Sequence, residues 1–266
     1  MNLGAKLKEG KTKIIYANPD DLATEIMFFK DSITAGDGAK KDTISGKGAI
    51  DWQTHVNIME YLKRRSLQNL AFHSAPETGC CLIKKVDKIL PLEIVARRVA
   101  AGSVLSSGFE EGQKFDPLYH QIFYKDDFLH DPLLDDNFLR VIEEKYQFPI
   151  FSEARTLSEK IFLLLEEAFA RENHQYIDQK IEVGIIFNGQ RYDSQQSQIV
   201  LVDEITAGSM RVWPYAKANP DLSQPNVLSE LDKSGMKDKQ LYREGKSLDQ
   251  VKKGFEQIME MTARFE

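Results

Sequence analysis

The sequence predicts an α+β protein with a small antiparallel-sheet unit, residues 1–87, ahead of a larger mixed unit, residues 88–266, that closes with a helix. Three observations predict it. Short β-branched and aromatic runs separated by turn formers fill the first ninety residues outside one helix, which is the pattern of a meander of strands. Two apolar runs bracketing a polar, turn-rich loop form a hairpin at 177–204. Apolar residues at helical spacing mark three helices, at 49–69, at 152–174 and from Ser247 to about Phe265. A chain of 266 residues, 42% hydrophobic and 29% charged, can bury a sizeable core.

In chain order, Leu7–Tyr16 passes from polar residues through Gly10 into Ile14-Ile15-Tyr16, so a turn feeds a strand. A second strand follows over Ala23–Phe29. Lys11 and Lys13 fall on one strand face, where ammonium groups can grip phosphates. The turn is not a P-loop. Five residues separate Gly4 from Gly10 where four are required, and no strand precedes it. A glycine turn covering phosphates between antiparallel strands, as in protein kinases, is the nearer comparison. Residues 31–48 are glycine-rich, with Asp37 and several lysines; they read as a surface connection or as a loop that meets phosphate or metal. Trp52 and His55 in the following helix read as packing residues. Cys80–Val86 is a short apolar strand running into the polar hinge Lys84–Lys88, which is the boundary between the two units. Ile89–Val99 is a further strand. It ends on Arg97-Arg98 and a small-residue turn that presents Ser103, a combination suited to a phosphate or carboxylate. Pro214–Lys237, with three prolines, is long enough for a lid or a disordered loop. Ser247 with Gln250 forms a capping box for the last helix.

The hairpin carries the chemistry. Asp178, Lys180 and Glu182 alternate onto one face of its first strand, and Asp203 and Glu204 stand at the end of its second. Charged groups set among Val, Ile and Leu are paired or ligating, because burying them alone is costly. Carboxylates from paired strands can hold Mg²⁺, which takes oxygen ligands and bridges to substrate phosphates. The plain alternative is a solvated face of ion pairs.

Bulk properties bound the partners. A formal net charge of -6 argues against a nucleic-acid or membrane-surface binder, so an anionic substrate needs a local basic cluster. The two cysteines, Cys80 and Cys81, are adjacent and read as small buried residues of a reducing compartment. The five histidines show no zinc spacing. The start lacks a signal-peptide core and no run is apolar enough to span a bilayer, so a cytoplasmic location is expected.

Taken together, Ile89-Leu90-Pro91-Leu92-Glu93…Arg97…Ala101-Gly102-Ser103 and Ile177-Asp178-Gln179-Lys180-Ile181-Glu182-Val183-Gly184 resemble the paired signatures of the SAICAR synthetase family of purine biosynthesis. Gly10-Lys11-Thr12-Lys13, Ile33–Gly38 and Val202-Asp203-Glu204…Arg211-Val212-Trp213 match in order, over nearly the whole chain. The resemblance implies an ATP-dependent carbon–nitrogen ligase that joins carboxyaminoimidazole ribonucleotide (CAIR) to L-aspartate through an acyl phosphate, with Mg²⁺. It implies a kinase-N-lobe-like first unit, an ATP-grasp-like second unit and ATP in the cleft between them. By the same resemblance Lys11, Thr12 and Lys13 contact the ATP phosphates, and Lys84, Lys85 and Val86 flank adenine. Glu182 and Asp203 ligate Mg²⁺. Lys180, Arg97, Ser103, Arg211 and Arg243 hold the ribonucleotide. Lys180, Asp37 and Arg211 stand nearest the chemistry. A homo-oligomer stays open, since assembly varies in this family. Three positions depart from its pattern: Val183 replaces a usual Phe, Gly208 stands where many bacterial members have an Asp, and Ser106-Ser107 replaces a basic pair. The rival readings are another kinase-like or ATP-grasp-type phosphotransferase, which would turn over ATP without aspartate, and a non-catalytic nucleotide-binding module.

Overall fold

The computed structural model describes residues 1–36, 38–126, 128–146, 149–187, 197–215 and 231–266. Strands β1 (Lys6–Glu9), β2 (Lys13–Ala17) and β3 (Thr24–Phe29) form a meander, and β7 (Cys80–Lys84) and β6 (Phe72–Glu77) complete an antiparallel sheet in the order β1-β2-β3-β7-β6. The strand β3 is central, and its Ile26 and Met27 are fully buried. The glycine-rich stretch read as a surface connection is instead a second hairpin, β4 (Ser32–Ala35) with β5 (Lys40–Thr43). Helix α1 (Lys47–Arg64) has no side-chain cap of its own. The Asp31 carboxylate serves from outside, accepting from Gly46 N at 3.0 Å and Gly48 N at 2.8 Å. Gly48 must be glycine, since a Cβ there would lie 2.7 Å from the Phe29 carbonyl oxygen; α1 therefore presses directly on β3. The helix stops five residues short of the expected end because Ser66 turns the chain with φ 64.

The second sheet runs β11-β10-β8-β9, with β12 also on β10. Its strands are β8 (Lys88–Val99), β9 (Lys114–Tyr124), β10 (His174–Phe187), β11 (Ser197–Leu201) and β12 (Met210–Pro214). The expected hairpin is β10–β11, with Val183 opposite Leu201. Its first strand starts earlier than expected, directly after α3 (Ile150–Arg171), whose Ile161, Phe162, Leu165 and Phe169 are fully buried. Strand β9, interrupted by Pro117, and α2 (Asp136–Tyr146) are found where the sequence pattern named neither. After the short helix α4 (Gln240–Arg243), helix α5 (Leu248–Thr262) opens with the expected capping box of Ser247 and Gln250.

The two sheets share one core. A single apolar cluster includes Met27, Ile58, Ile161, Val183 and Phe255. Helix α5 packs on α1, and Ala71 N, between α1 and β6, donates to Leu201 O of β11 at 2.9 Å. The seam between the sheets is thereby fixed, and a cavity opens along it. Among the described residues no helix is long and apolar enough to cross a membrane.

Candidate active site

A cavity of about 490 Å³ opens along this seam. Its walls come from the Gly10 turn, the β7–β8 connection, β10, the segment after β11 and α1. One part of its lining is apolar, with Ile15, Ala71, Ile83, Val86, Ile89 and Val202. Gly184 lets Val86 and Val202 close on each other; a Cβ there would stand 2.8 Å from Val202 Cγ1 and 3.3 Å from Val86 Cγ2.

The polar part is built on register. Glu182 of β10 lies directly opposite Glu93 of β8, and both line the cavity. Like charges opposite each other destabilise a sheet unless cations intervene. Here Lys180 Nζ donates to Glu93 Oε1 at 2.5 Å, and Lys125 of the β9 end pairs with Glu182. The Lys13 ammonium bridges Asp203 and Glu204, and Thr12 Oγ1 donates to Glu204 Oε1 at 2.6 Å. The turn that carries Lys13 is thus stapled to the acids after β11. Burial opposes ionisation of Glu204, yet the Lys13 charge and the hydrogen bonds from Lys13 and Thr12 hold its carboxyl down at about 2. Burial likewise disfavours the Lys180 ammonium, but Glu93, Glu182 and Glu204 outweigh it and raise its pKa. The cavity therefore sets carboxylates and amines in alternation, with the charged forms of Glu204 and Lys180 favoured by their partners.

A second cluster lies beyond that lining. Arg97 and Asp178, cross-strand neighbours on β8 and β10, pair at 2.6 Å with both side chains buried. Arg97 also donates to Gln121 Oε1, Ala101 O and Ser103 Oγ, each at 3.3 Å. Arg211 of β12 pairs with the same Asp178 oxygen. Gly102, at φ +66, gives Arg211 its room. The fully buried Asp238 accepts from Val212 N and Gln240 N; burial pushes its carboxyl up to about 6, with Arg211 opposing. The Arg243 charge is felt by both Arg211 and Lys239.

Of the residues singled out from the sequence, Lys11, Thr12, Lys13, Lys84, Val86, Lys180, Glu182 and Asp203 all line the one cavity. Lys85 is exposed and does not line it. Arg97, Ser103 and Arg211 come together in the second cluster, with Arg243 acting on it electrostatically. Asp37, and residues 216–230 of the expected lid, lie outside the described residues. Lys47, Asp51, Glu93, Lys125 and Lys239 also line the cavity, with no role foreseen for them. Only Lys47 and Asp51 carried a local signal: they stand one helical turn apart on an otherwise apolar face, where a buried ion pair is the one stable outcome. The others are placed by sheet register and by the return of the C-terminal segment. Among the described residues no group of three or more His, Cys, Asp or Glu is arranged to hold a metal by itself.

His55 is a packing residue, as expected: 2% exposed, between Phe29 and Phe72, with Nδ1 accepting from Ile205 N at 3.3 Å. Burial drives its pKa down from 6.5 to about 3. The unfolded chain therefore takes up this proton as pH falls through 6.5 while the folded one refuses it until about 3, and stability is lost across that window. The loss approaches about 1.4 kcal/mol per pH unit. Thermal unfolding at pH 7 and pH 4.5 should show a smaller acid-induced fall in Tm for His55→Gln than for the unaltered chain; equal falls would assign the acid sensitivity elsewhere.

Comparison with known proteins bears on both clusters. A model of the SAICAR synthetase family matches residues 6–262. The phosphoribosylaminoimidazole-succinocarboxamide synthase of Herpetosiphon aurantiacus is 36% identical over 275 residues, covering 100% of both chains. Among solved structures, the crystal structure of phosphoribosylaminoimidazole-succinocarboxamide synthase from Ehrlichia chaffeensis superposes with a TM-score of 0.80 at 26% identity, covering 97% of this chain and 98% of the other. A SAICAR synthetase in complex with ADP superposes with a TM-score of 0.75 at 26% identity, covering 97% of each. The mixed fold of antiparallel sheets is that of these structures.

Proposed function

Because the chain belongs to the SAICAR synthetase family, we propose that it joins CAIR to L-aspartate at the expense of ATP, giving SAICAR, ADP and phosphate in purine biosynthesis. The observation that carries this is the convergence of a glycine turn, an apolar slot and ion-paired carboxylates on one cavity. We read the first unit, 1–87, as kinase-N-lobe-like, the second, 88–266, as ATP-grasp-like, and the cytoplasm as the place of work.

In this reading adenine enters the apolar slot beside Val86, and Lys11, Thr12 and Lys13 meet the phosphates. Mg²⁺ fits the donor set: Glu182 and Asp203 would hold it through hard carboxylate oxygens, which here are already paired with cations, the ammoniums of Lys125 and Lys13. When bound, the ion neutralises charge on the transferring phosphoryl group. Lys13, paired here with Asp203 and Glu204, would meet the phosphates from the same turn. The Arg97–Asp178–Arg211 cluster with Ser103 and Arg243 seats the ribonucleotide phosphate, since arginine forks held by buried carboxylates are preorganised for such an anion. Lys180 lies on β10 between the clusters, where it stabilises the carboxylate as it is phosphorylated. Asp37 is assigned next to the reacting groups by resemblance alone.

The chemistry balances in two steps. A CAIR carboxylate oxygen attacks the γ-phosphorus of ATP, and ADP leaves. The neutral amine of L-aspartate then attacks the acyl carbon; the new C–N bond forms, the C–O bond to phosphate breaks, and the amine's proton leaves with solvent or phosphate. Holding three reactants in one geometry replaces encounters that water would make rare.

The test is a coupled ADP-release assay with each substrate omitted in turn. ADP should form only when CAIR and L-aspartate are both present. Steady ADP formation that ignores aspartate would point instead to a phosphotransferase.

A further inference from the structure

The hairpin β4–β5 stands apart from both larger sheets. Among the described residues its two strands pair only with each other, from Ser32 opposite Thr43 to Ala35 opposite Lys40. A lone two-stranded hairpin is marginal in water and needs support from elsewhere. Strand β4 finds it by burial: Ile33 is 1% and Thr34 9% exposed, and both line the cavity. Strand β5 buries nothing, and all four of its residues are exposed. It is fastened through side chains instead. Lys40 and Asp42, two apart and so on one face, both reach Tyr242 of α4. The Lys40 ammonium donates to Tyr242 O at 2.8 Å and lies 3.9 Å from the centre of the Tyr242 ring. The Tyr242 hydroxyl donates to Asp42 Oδ2 at 2.7 Å, a charge-assisted bond. Tyr242 is fully buried in the main apolar cluster, so its ring and hydroxyl are held in place.

We propose that Tyr242 is a positioning residue: by gripping Lys40 and Asp42 it clamps the β4–β5 hairpin to α4 and so fixes the turn at the hairpin's end for the reaction. The proposal rests on the ligase reading and adds a group that touches no substrate. What the clamp joins explains why position matters. Between the two strands the sequence is Gly36-Asp37-Gly38-Ala39, which includes the acid expected beside the reacting groups, and Ala39 N donates to Gly36 O at 2.8 Å. Gly36 and Gly38 both take left-handed backbone, at φ +56 and +88. Glycines give the turn no stiffness of its own, so its direction comes from the strands that carry it. Those strands form a wall with open space on both faces. Ile33 and Thr34 also line a second cavity, of about 520 Å³, together with Lys41, Asp42 and Thr43. Packing therefore leaves β5 unfixed, and the contacts with Tyr242 supply what packing does not. On the far side of the clamp, α4 carries Arg243, whose charge meets that of Arg211.

Two measurements on the full chain test it. In amide hydrogen exchange without substrates, Tyr242→Phe, which removes only the hydroxyl, should speed exchange across β5 by roughly tenfold, the weight of one charge-assisted hydrogen bond, and leave β2 and β3 unchanged. In steady-state kinetics the same variant should lower kcat by about tenfold, as a displaced reacting geometry does, with KM for ATP within about twofold and Tm lowered by less than about 4 °C. Asp42→Ala should reproduce both changes, and the double variant should add nothing to either single loss. Asp42→Asn, whose amide oxygen still accepts from the hydroxyl, should recover most of the rate. Faster exchange at unchanged kcat would show that the turn needs no such clamp. A loss of kcat at unchanged exchange, or additive losses in the double variant, would show that Tyr242 acts by another route. Either result overturns the proposal. Should Tyr242→Phe fail to fold, Asp42→Ala, at an exposed position, decides by the same two readouts. An unaltered chain that releases ADP without aspartate would instead overturn the ligase reading, a separate outcome that the exchange measurement does not share.

Discussion

Glu182→Gln and Asp203→Asn should each lower kcat by about 10²–10³-fold, the loss typical when one fixed electrostatic group at a reacting centre is removed. Both carboxylates line the cavity, each paired with an ammonium. Removing one charge changes the local balance in opposite ways for metal and lysine. The Mg²⁺ concentration for half-maximal rate should rise, while Lys13 keeps Glu204 and Lys125 gains solvent, so the fold survives. A magnesium titration of activity beside thermal unfolding separates these effects. Near-native rates in both variants, with unshifted magnesium dependence, would contradict the assignment of these two residues.

Gly102→Ala should cripple ribonucleotide binding while sparing most of the stability. The added Cβ would fall 2.2 Å from Arg211 Nη2, inside any allowed contact. The obstructing atom is the tip of a long side chain, so the guanidinium will swing away from Asp178 rather than the backbone yield. The left-handed backbone at φ +66 adds about 1 kcal/mol of strain for alanine. KM for CAIR should rise by roughly ten- to a hundredfold with KM for ATP little changed, as expected when a charged hydrogen bond to an anion is lost. An unchanged KM for CAIR would remove Arg211 from the substrate's binding groups.

What could be read without coordinates follows a physical division. The hairpin, the glycine turn and the capping box are local patterns, in which period, turn chemistry and capping act within a dozen residues, and β10–β11, Gly10 and Ser247 appear where expected. Helix boundaries were less legible: α1 ends at Arg64 because one residue, Ser66, takes a left-handed turn that composition does not announce. Strand β9 escaped because Pro117 and scattered polar residues break its alternation, and its place is set by pairing with β8. The same holds for the site. Acids and lysines near glycine turns could be recognised as chemical groups. That Glu93 faces Glu182, or that Lys239 returns from the far end of the chain to face Lys47 and Asp51, is decided by sheet register and by α5 docking on α1. Such long-range placement has no local signature.

The central claim is that this cavity activates a carboxylate by phosphorylating it. Turnover of CAIR labelled with ¹⁸O in its carboxylate, with ATP and L-aspartate, tests that directly. Cleavage of the acyl C–O bond leaves one carboxylate oxygen on phosphorus, so the released phosphate should carry a single ¹⁸O per turnover. Phosphate free of label, at full yield of the amide, would contradict the account.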